Sequence, residues 1–310
     1  MAATTDPRHR RLLAQLARAY YLEHRSKVQI ADDFGLSRFQ VARLIDEAHD
    51  SGVVTITIES EQPDRGDRGD VIARELGVRS VEIVDGGSDT TVAMGRAALR
   101  HLDVSARPGQ RIGLSWSRTI AAASAFVPAL PRSTVVQLAG ALQLDDAAPR
   151  QQVFTLLEQD PDVDMVRLPA PLLVTAPETA ADLRALPEIR IALEAADDLD
   201  LAIVSIGAWR GSLSSVRLKC GPDLRRAAEE AGAVAETSGR LIAADGSPVT
   251  TLDDRVIAVT LDQLRAAGTT VGVAYGADRA AAVRAAARSG AFDVLIVDEP
   301  LAEELLSDAG

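Results

Sequence analysis

The sequence predicts a two-domain chain: a three-helix helix-turn-helix domain over residues 1–59, then a larger α/β domain with a parallel sheet over residues 71–310. Three observations predict this. Residues 27–50, KVQIADDFGLSRFQVARLIDEAHD, place apolar residues at helical spacing on both sides of a glycine. From Val81 onward, short β-rich apolar runs alternate with Ala-rich helical stretches, and strands that are apolar almost throughout belong to parallel sheets covered on both faces. Between the two regions, residues 60–70 read SEQPDRGDRGD, polar with proline and glycine, as a linker would.

The elements follow in order. Residues 9–24 carry Leu12, Leu13, Leu16, Ala19 and Tyr20 at helical intervals and supply a supporting helix. In the next helix Ile30, Ala31 and Phe34 share one face, and Gly35 can take the positive φ that ends it. Ser37 is a preferred N-cap, so a further helix starts there. Its Val41, Leu44 and Ile45 face inward and leave Arg38, Gln40 and Arg43 outward. This is the pattern of a recognition helix: arginine reads guanine, glutamine reads adenine, and Ser37 holds a phosphate. Gln29 of the preceding helix joins these candidate DNA contacts. After Gly52, VVTITIE alternates with period two and predicts a strand, either a wing or dimer contact or a strand of the next domain.

Composition sets bounds. The 310 residues are 47% hydrophobic and 25% charged, which describes an ordinary globular protein. No apolar run approaches a membrane span, and MAATTDPRHRR lacks the core of a signal peptide, so a cytoplasmic location is expected. One cysteine, Cys220, and four histidines argue against a disulfide scaffold or a zinc site. The net charge of −12 falls entirely after residue 60, while the first 60 residues are neutral. Phosphate contact depends on the local field, which Arg25, Lys27, Arg38 and Arg43 can supply. Two Arg-Gly-Asp triplets at 65–70 are read as solvated linker.

The strands expected in the second domain are VEIV from Val81, RIGL from Arg111, TVVQL from Thr134, VDMVRL from Val163, LAIVSI from Leu201, VIAVT from Val256, VGVAY from Val271 and VLIVD from Val294. Ligands of such sheets bind beyond the carboxyl ends of the strands. After RIGL come Ser115, Trp116, Ser117, Arg118 and Thr119 before an Ala-rich helix, either an anion cradle at a helix N-terminus or a simple cap. After VGVAY, Gly276 to Arg279 open another helix, and Arg279 holds a phosphate or carboxylate or faces solvent. After LAIVSI, Gly207 permits close approach or a tight turn, and Trp209 is pocket wall or core. Residues 236–249 read as a hairpin turning at Asp245-Gly246, with Glu236 either accepting sugar hydroxyls or exposed. Neither a P-loop nor a G-x-G-x-x-G motif is present.

Five blocks then carry a resemblance: YYLEHRSKVQIADDFGLSRFQVARLIDEAHDSGVVTITI, GLSWSRTI, LPEIRIALEAADDLDLAIVSIGAW, AVAETSGRLIAADGSPV and VAYGADRAAAVRAAARSGAFDVLIVDEPLAEELL. In this order, and covering nearly the whole chain, they resemble the SorC family of bacterial transcriptional regulators, sometimes grouped with DeoR-type regulators. The resemblance implies an effector domain akin to ribose phosphate isomerase and glucosamine phosphate deaminase. It also implies dimers or tetramers on operator DNA and control by a sugar, polyol or sugar phosphate rather than a resident cofactor. Effector contacts carried over by position are Ser115, Ser117, Arg118, Thr119, Glu236 and Arg279. Two departures matter. Arg279 stands where relatives usually have lysine, and Leu138 where binders of bisphosphates can carry arginine, which points to a monophosphate or an unphosphorylated polyol. The rival readings are a sugar phosphate isomerase or deaminase using Glu236 and Asp245, and a structural nucleoid binder.

Overall fold

Local hydrogen bonds set the starts of the two central helices of the N-terminal unit. Its helices are α1 (Pro7–Tyr21), α2 (Lys27–Phe34) and α3 (Arg38–Asp50). Ser26 and Gln29 cap α2 reciprocally, and Ser37 and Gln40 do the same for α3. Gly35 sits at φ 64° and donates its N–H to the Ala31 carbonyl, closing α2 in a conformation that glycine adopts without steric cost. Leu13, Leu16, Ile30, Val41, Ile45 and Ala48 make the buried core of this unit. His9 Nε2 lies 2.6 Å from Glu47 Oε1 and ties α1 to α3.

The computed structural model describes residues 7–21, 23, 25–54, 65–142 and 151–307. The chain divides into two compact units, 1–61 and 62–310. Most of the strand expected after Gly52 lies outside the described residues, although Val53 and Val54 pack against the first unit's core.

The second unit opens with a helix, α4 (Arg65–Leu76), over six residues expected to be linker. Ile72 and Ala73 are buried, and a Cβ on Gly69 would overlap the Val81 carbonyl. That glycine therefore serves close helix–strand approach, not flexibility. The strands are β1 (Ser80–Val84), β2 (Arg111–Leu114), β3 (Ser133–Gln137), β4 (Val163–Val166), β5 (Leu201–Ser205), β6 (Gly207–Ala208), β7 (Ala233–Thr237), β8 (Arg240–Ala243), β9 (Pro248–Val249), β10 (Thr270–Val273) and β11 (Val294–Asp298). Seven form one sheet in the order β1-β11-β10-β5-β2-β3-β4, with every neighbouring pair parallel. From β2 the chain moves outward through β3 and β4, and from β5 it moves the other way through β10 and β11. The strand order thus reverses between β2 and β5, where open α/β sheets bind ligands. Core residues lie on both faces of the sheet, with Ile112, Leu114 and Ile203 in one cluster and Val204, Val136 and Leu295 in the other.

One expectation fails here and another, the Asp245-Gly246 hairpin, holds at its turn but not in its extent. VIAVT does not join the sheet: Val256 and Ala258 form only isolated bridges to Leu173 and Ala139. The run is buried against the loops beyond β3 and β4, and an apolar run looks alike whether it is a sheet strand or a buried strap. The expected hairpin is instead a small antiparallel sheet, β6-β7-β8-β9, with two turns. Ser238 and Gly239, at φ 49° and 82°, turn β7 into β8, while Asp245-Gly246 turns β8 toward β9.

Candidate functional site

The cleft at the strand reversal is assembled from segments far apart in sequence. The loop after β2 supplies Ser115, Trp116, Ser117, Arg118 and Thr119; the end of β5 and its continuation supply Ser205 and Gly207; Ser214, Glu236, Ser238, Tyr275 and Arg279 complete the wall. About 670 Å³ of space lies between them, part of it open to solvent. All six expected effector residues line this one cleft.

Glu236 is placed by register. It pairs directly with Gly207 across β6 and β7, and a Cβ at Gly207 would come 2.7 Å from Glu236 Oε1. The carboxylate is buried, accepting from Ser214 Oγ at 2.9 Å and from the Gly239 N–H at 3.1 Å. Burial pushes its pKa up, opposed by those two hydrogen bonds and by the charge of Arg279. An exposed carboxylate, one of the two fates open from sequence, is thereby ruled out.

Arg279 donates to the Tyr275 carbonyl at 2.5 Å and lies over the Tyr275 ring at 5.0 Å. Burial lowers its pKa, and Arg118 adds repulsion in the same direction. Two cations therefore share one cleft, a field that favours an anion. Ser117 caps the short helix Arg118–Ala122, accepting from the Ile120 N–H at 3.0 Å. That helix is only five residues long, so its dipole contributes little and any anion would rely on the arginines and loop groups. Trp116 Nε1 donates to the Gly140 carbonyl at 2.7 Å and pins the loop, and Ser115 Oγ and Ser238 Oγ are 2.9 Å apart. Ser205 Oγ is buried with no hydrogen-bond partner among the described residues, so a polar group in the cleft has a hydroxyl to meet.

Other expectations resolve around the cleft. Trp209 belongs to the core and does not line it. Leu138 is buried against Gly113. Cys220 is buried, and burial together with nearby Glu236 pushes its thiol up to about 11, which leaves it protonated and inert near neutrality. Among the described residues no group of three His, Cys, Asp or Glu side chains is placed to hold a metal ion. Asp245, the second carboxylate of the enzyme reading, is bound to Ser247 in the β8–β9 turn and does not line the cleft. Ser205, Ser214, Ser238 and Tyr275 were missed from sequence; only Ser238-Gly239, a turn dipeptide, gave a local signal.

In the first unit, Arg38, Gln40 and Arg43 are exposed on α3 as expected. The oxygens of Gln29 and Gln40 accept from the Ser26 and Ser37 N–H groups, and the Ser37 hydroxyl accepts from Gln40 N–H, so these three side chains are engaged in helix caps. Arg25 is paired with Asp33, and Lys27 lies over the Tyr20 ring. Arg38 and Arg43 remain the cations directed outward from α3.

These features define a class: a helix-turn-helix head joined to an α/β body with a polar cleft at its strand reversal. Residues 64–307 match the family described as "Putative sugar-binding domain", and the chain belongs to this family of SorC-type transcriptional regulators. It is 27% identical over 312 residues to the transcriptional regulator LsrR of Enterobacter sp. strain 638, covering 96% of this chain and 94% of that one. The full-length sorbitol operon regulator SorC of Klebsiella pneumoniae has the same fold, with a TM-score of 0.68 at 20% identity over 96% of this chain and 99% of that one. The sugar-binding domain of a DeoR regulator from Pseudomonas syringae pv. tomato superposes with a TM-score of 0.59 at 26% identity over 79% of this chain and all of that one. These relatives are transcriptional regulators, not enzymes. No helix among the described residues is long and apolar enough to cross a membrane.

Proposed function

We propose that the protein is a cytoplasmic regulator of a sugar or polyol catabolic operon, controlled by a small carbohydrate or its monophosphate held in the cleft and needing no resident cofactor. The observation that carries this is the convergence of Arg118, Arg279 and buried Glu236 with six serine hydroxyls on one cleft at the strand reversal. Carboxylate and hydroxyls suit a polyhydroxylated ligand, and the arginine pair suits one phosphate. Within this reading Ser115, Ser117 and Thr119 position the ligand beside Arg118, and Arg43 and Arg38 contact operator DNA.

The protein acts as a homodimer or tetramer, placing recognition helices in major grooves about 34 Å or a multiple of it apart on a partly palindromic operator. An effector needs to shift this equilibrium by only about 1–3 kcal/mol to change occupancy severalfold to a hundredfold. Fluorescence anisotropy on the protein's upstream DNA, titrated with paired sugars and sugar phosphates, tests the reading. One compound should shift specific binding, and Arg279→Ala should abolish that shift without loss of operator affinity. Turnover of ribose 5-phosphate or glucosamine 6-phosphate, or binding that ignores DNA sequence, would overturn it.

A further inference from the structure

The outward face of α3 is not centred on its polar residues. Successive side chains rotate by about 100° around a helix. The buried residues Val41, Leu44, Ile45 and Ala48 therefore fix one side, and Phe39 projects from the opposite side with Arg43 one turn further on. Arg38 and Gln40 flank this line, and Gln40 is engaged in the cap. Phe39 is 86% exposed, the most exposed large apolar side chain among the described residues. Scattered single hydrophobics on a surface need no explanation. A phenyl ring at the second position of a recognition helix, beside an arginine and on the face turned from the core, is not such a scatter.

We infer that Phe39 is a specificity-determining residue that reads a thymine methyl group in the major groove. The first turn of a recognition helix is the part that meets base edges. There the C5-methyl is the single apolar feature any base pair presents, and an apolar side chain is its complement. Arg43 would anchor the helix on a neighbouring guanine or phosphate, while partly buried Ala42 beside the ring keeps the helix surface low for close approach. The inference rests on the DNA-binding reading of this unit, and the test separates the two.

The full-length protein and its Phe39→Ala and Phe39→Leu variants are each used to select duplexes from a random pool. Each thymine of the enriched wild-type site is then replaced by deoxyuridine, which removes only the methyl. At one thymine per half-site the replacement should weaken wild-type binding about fourfold, the worth of one methyl group taken out of water. Phe39→Ala should bind the two duplexes equally and lose the preference for thymine there, and Phe39→Leu should retain part of both. Equal sensitivity of wild type and Phe39→Ala to every replacement overturns the inference while leaving the DNA reader intact. So does a Phe39→Ala protein of smaller assembled mass with an unchanged preferred sequence, which would place the ring between two copies of this chain. If the wild type enriches no sequence, the DNA-binding reading fails and the inference with it.

Discussion

Gly207 shows how a single absent carbon shapes the cleft. Its hydrogen faces Glu236, and an added methyl would sit 2.7 Å from Oε1, backed by a β6–β7 pair that cannot spread freely. Gly207→Ala should therefore cost about 1–3 kcal/mol in chemical denaturation, as overpacking does, and weaken effector binding by moving the carboxylate. Glu236 itself makes a prediction about pH. Its folded pKa is raised above the ordinary 4.5, so the native state holds its proton more tightly than the unfolded chain does. Its contribution is fully favourable below 4.5 and is lost as pH rises through the elevated folded value. Thermal unfolding of wild type and Glu236→Gln from pH 4.5 upward should show the difference between them shifting in favour of Gln as pH rises; a constant difference would mean that the carboxyl titrates normally.

At the scale of elements, the caps of α2 and α3 use the same Ser-x-x-Gln device; the Ser37 cap was read from sequence, whereas the equivalent Ser26 cap was not. Ser37→Ala should cost about 1 kcal/mol, read as roughly fivefold faster hydrogen exchange along α3, and should free the Gln40 amide. The parallel strands were legible for a similar reason: LAIVS and VLIVD are apolar on both faces, as strands buried on both sides must be. What misled was local chemistry read without its neighbours. VIAVT has a strand's composition but serves as a buried strap, and Gly69 of RGDRGD reads as solvated linker because the strand it presses against is not visible in the sequence. The cleft was half legible. Residues following strand ends could be nominated by rule, but Ser205 and Ser214 are ordinary serines until β5 and the small sheet bring them together.

At the scale of the whole molecule, the net charge of −12 lies in the residues after 60, so the part that carries the cleft is acidic while the DNA-reading part is neutral. An acidic body repels the phosphate backbone through solvent, and salt screens that repulsion. Nonspecific binding should therefore fall less steeply with added salt than binding by the isolated N-terminal unit, which anisotropy on a random duplex would show as a shallower slope of log affinity against log salt. The strand order has a separate consequence, for folding. β2 and β5 are neighbours in space, pairing Gly113 with Ala202, yet nearly a third of the chain separates them. Pairings of that span raise the contact order, which slows folding. We expect the cleft astride them to form late, after the transition state. A bound effector should accordingly slow unfolding severalfold and leave the refolding rate almost unchanged, so that it acts on the protein's lifetime as well as on its affinity for DNA.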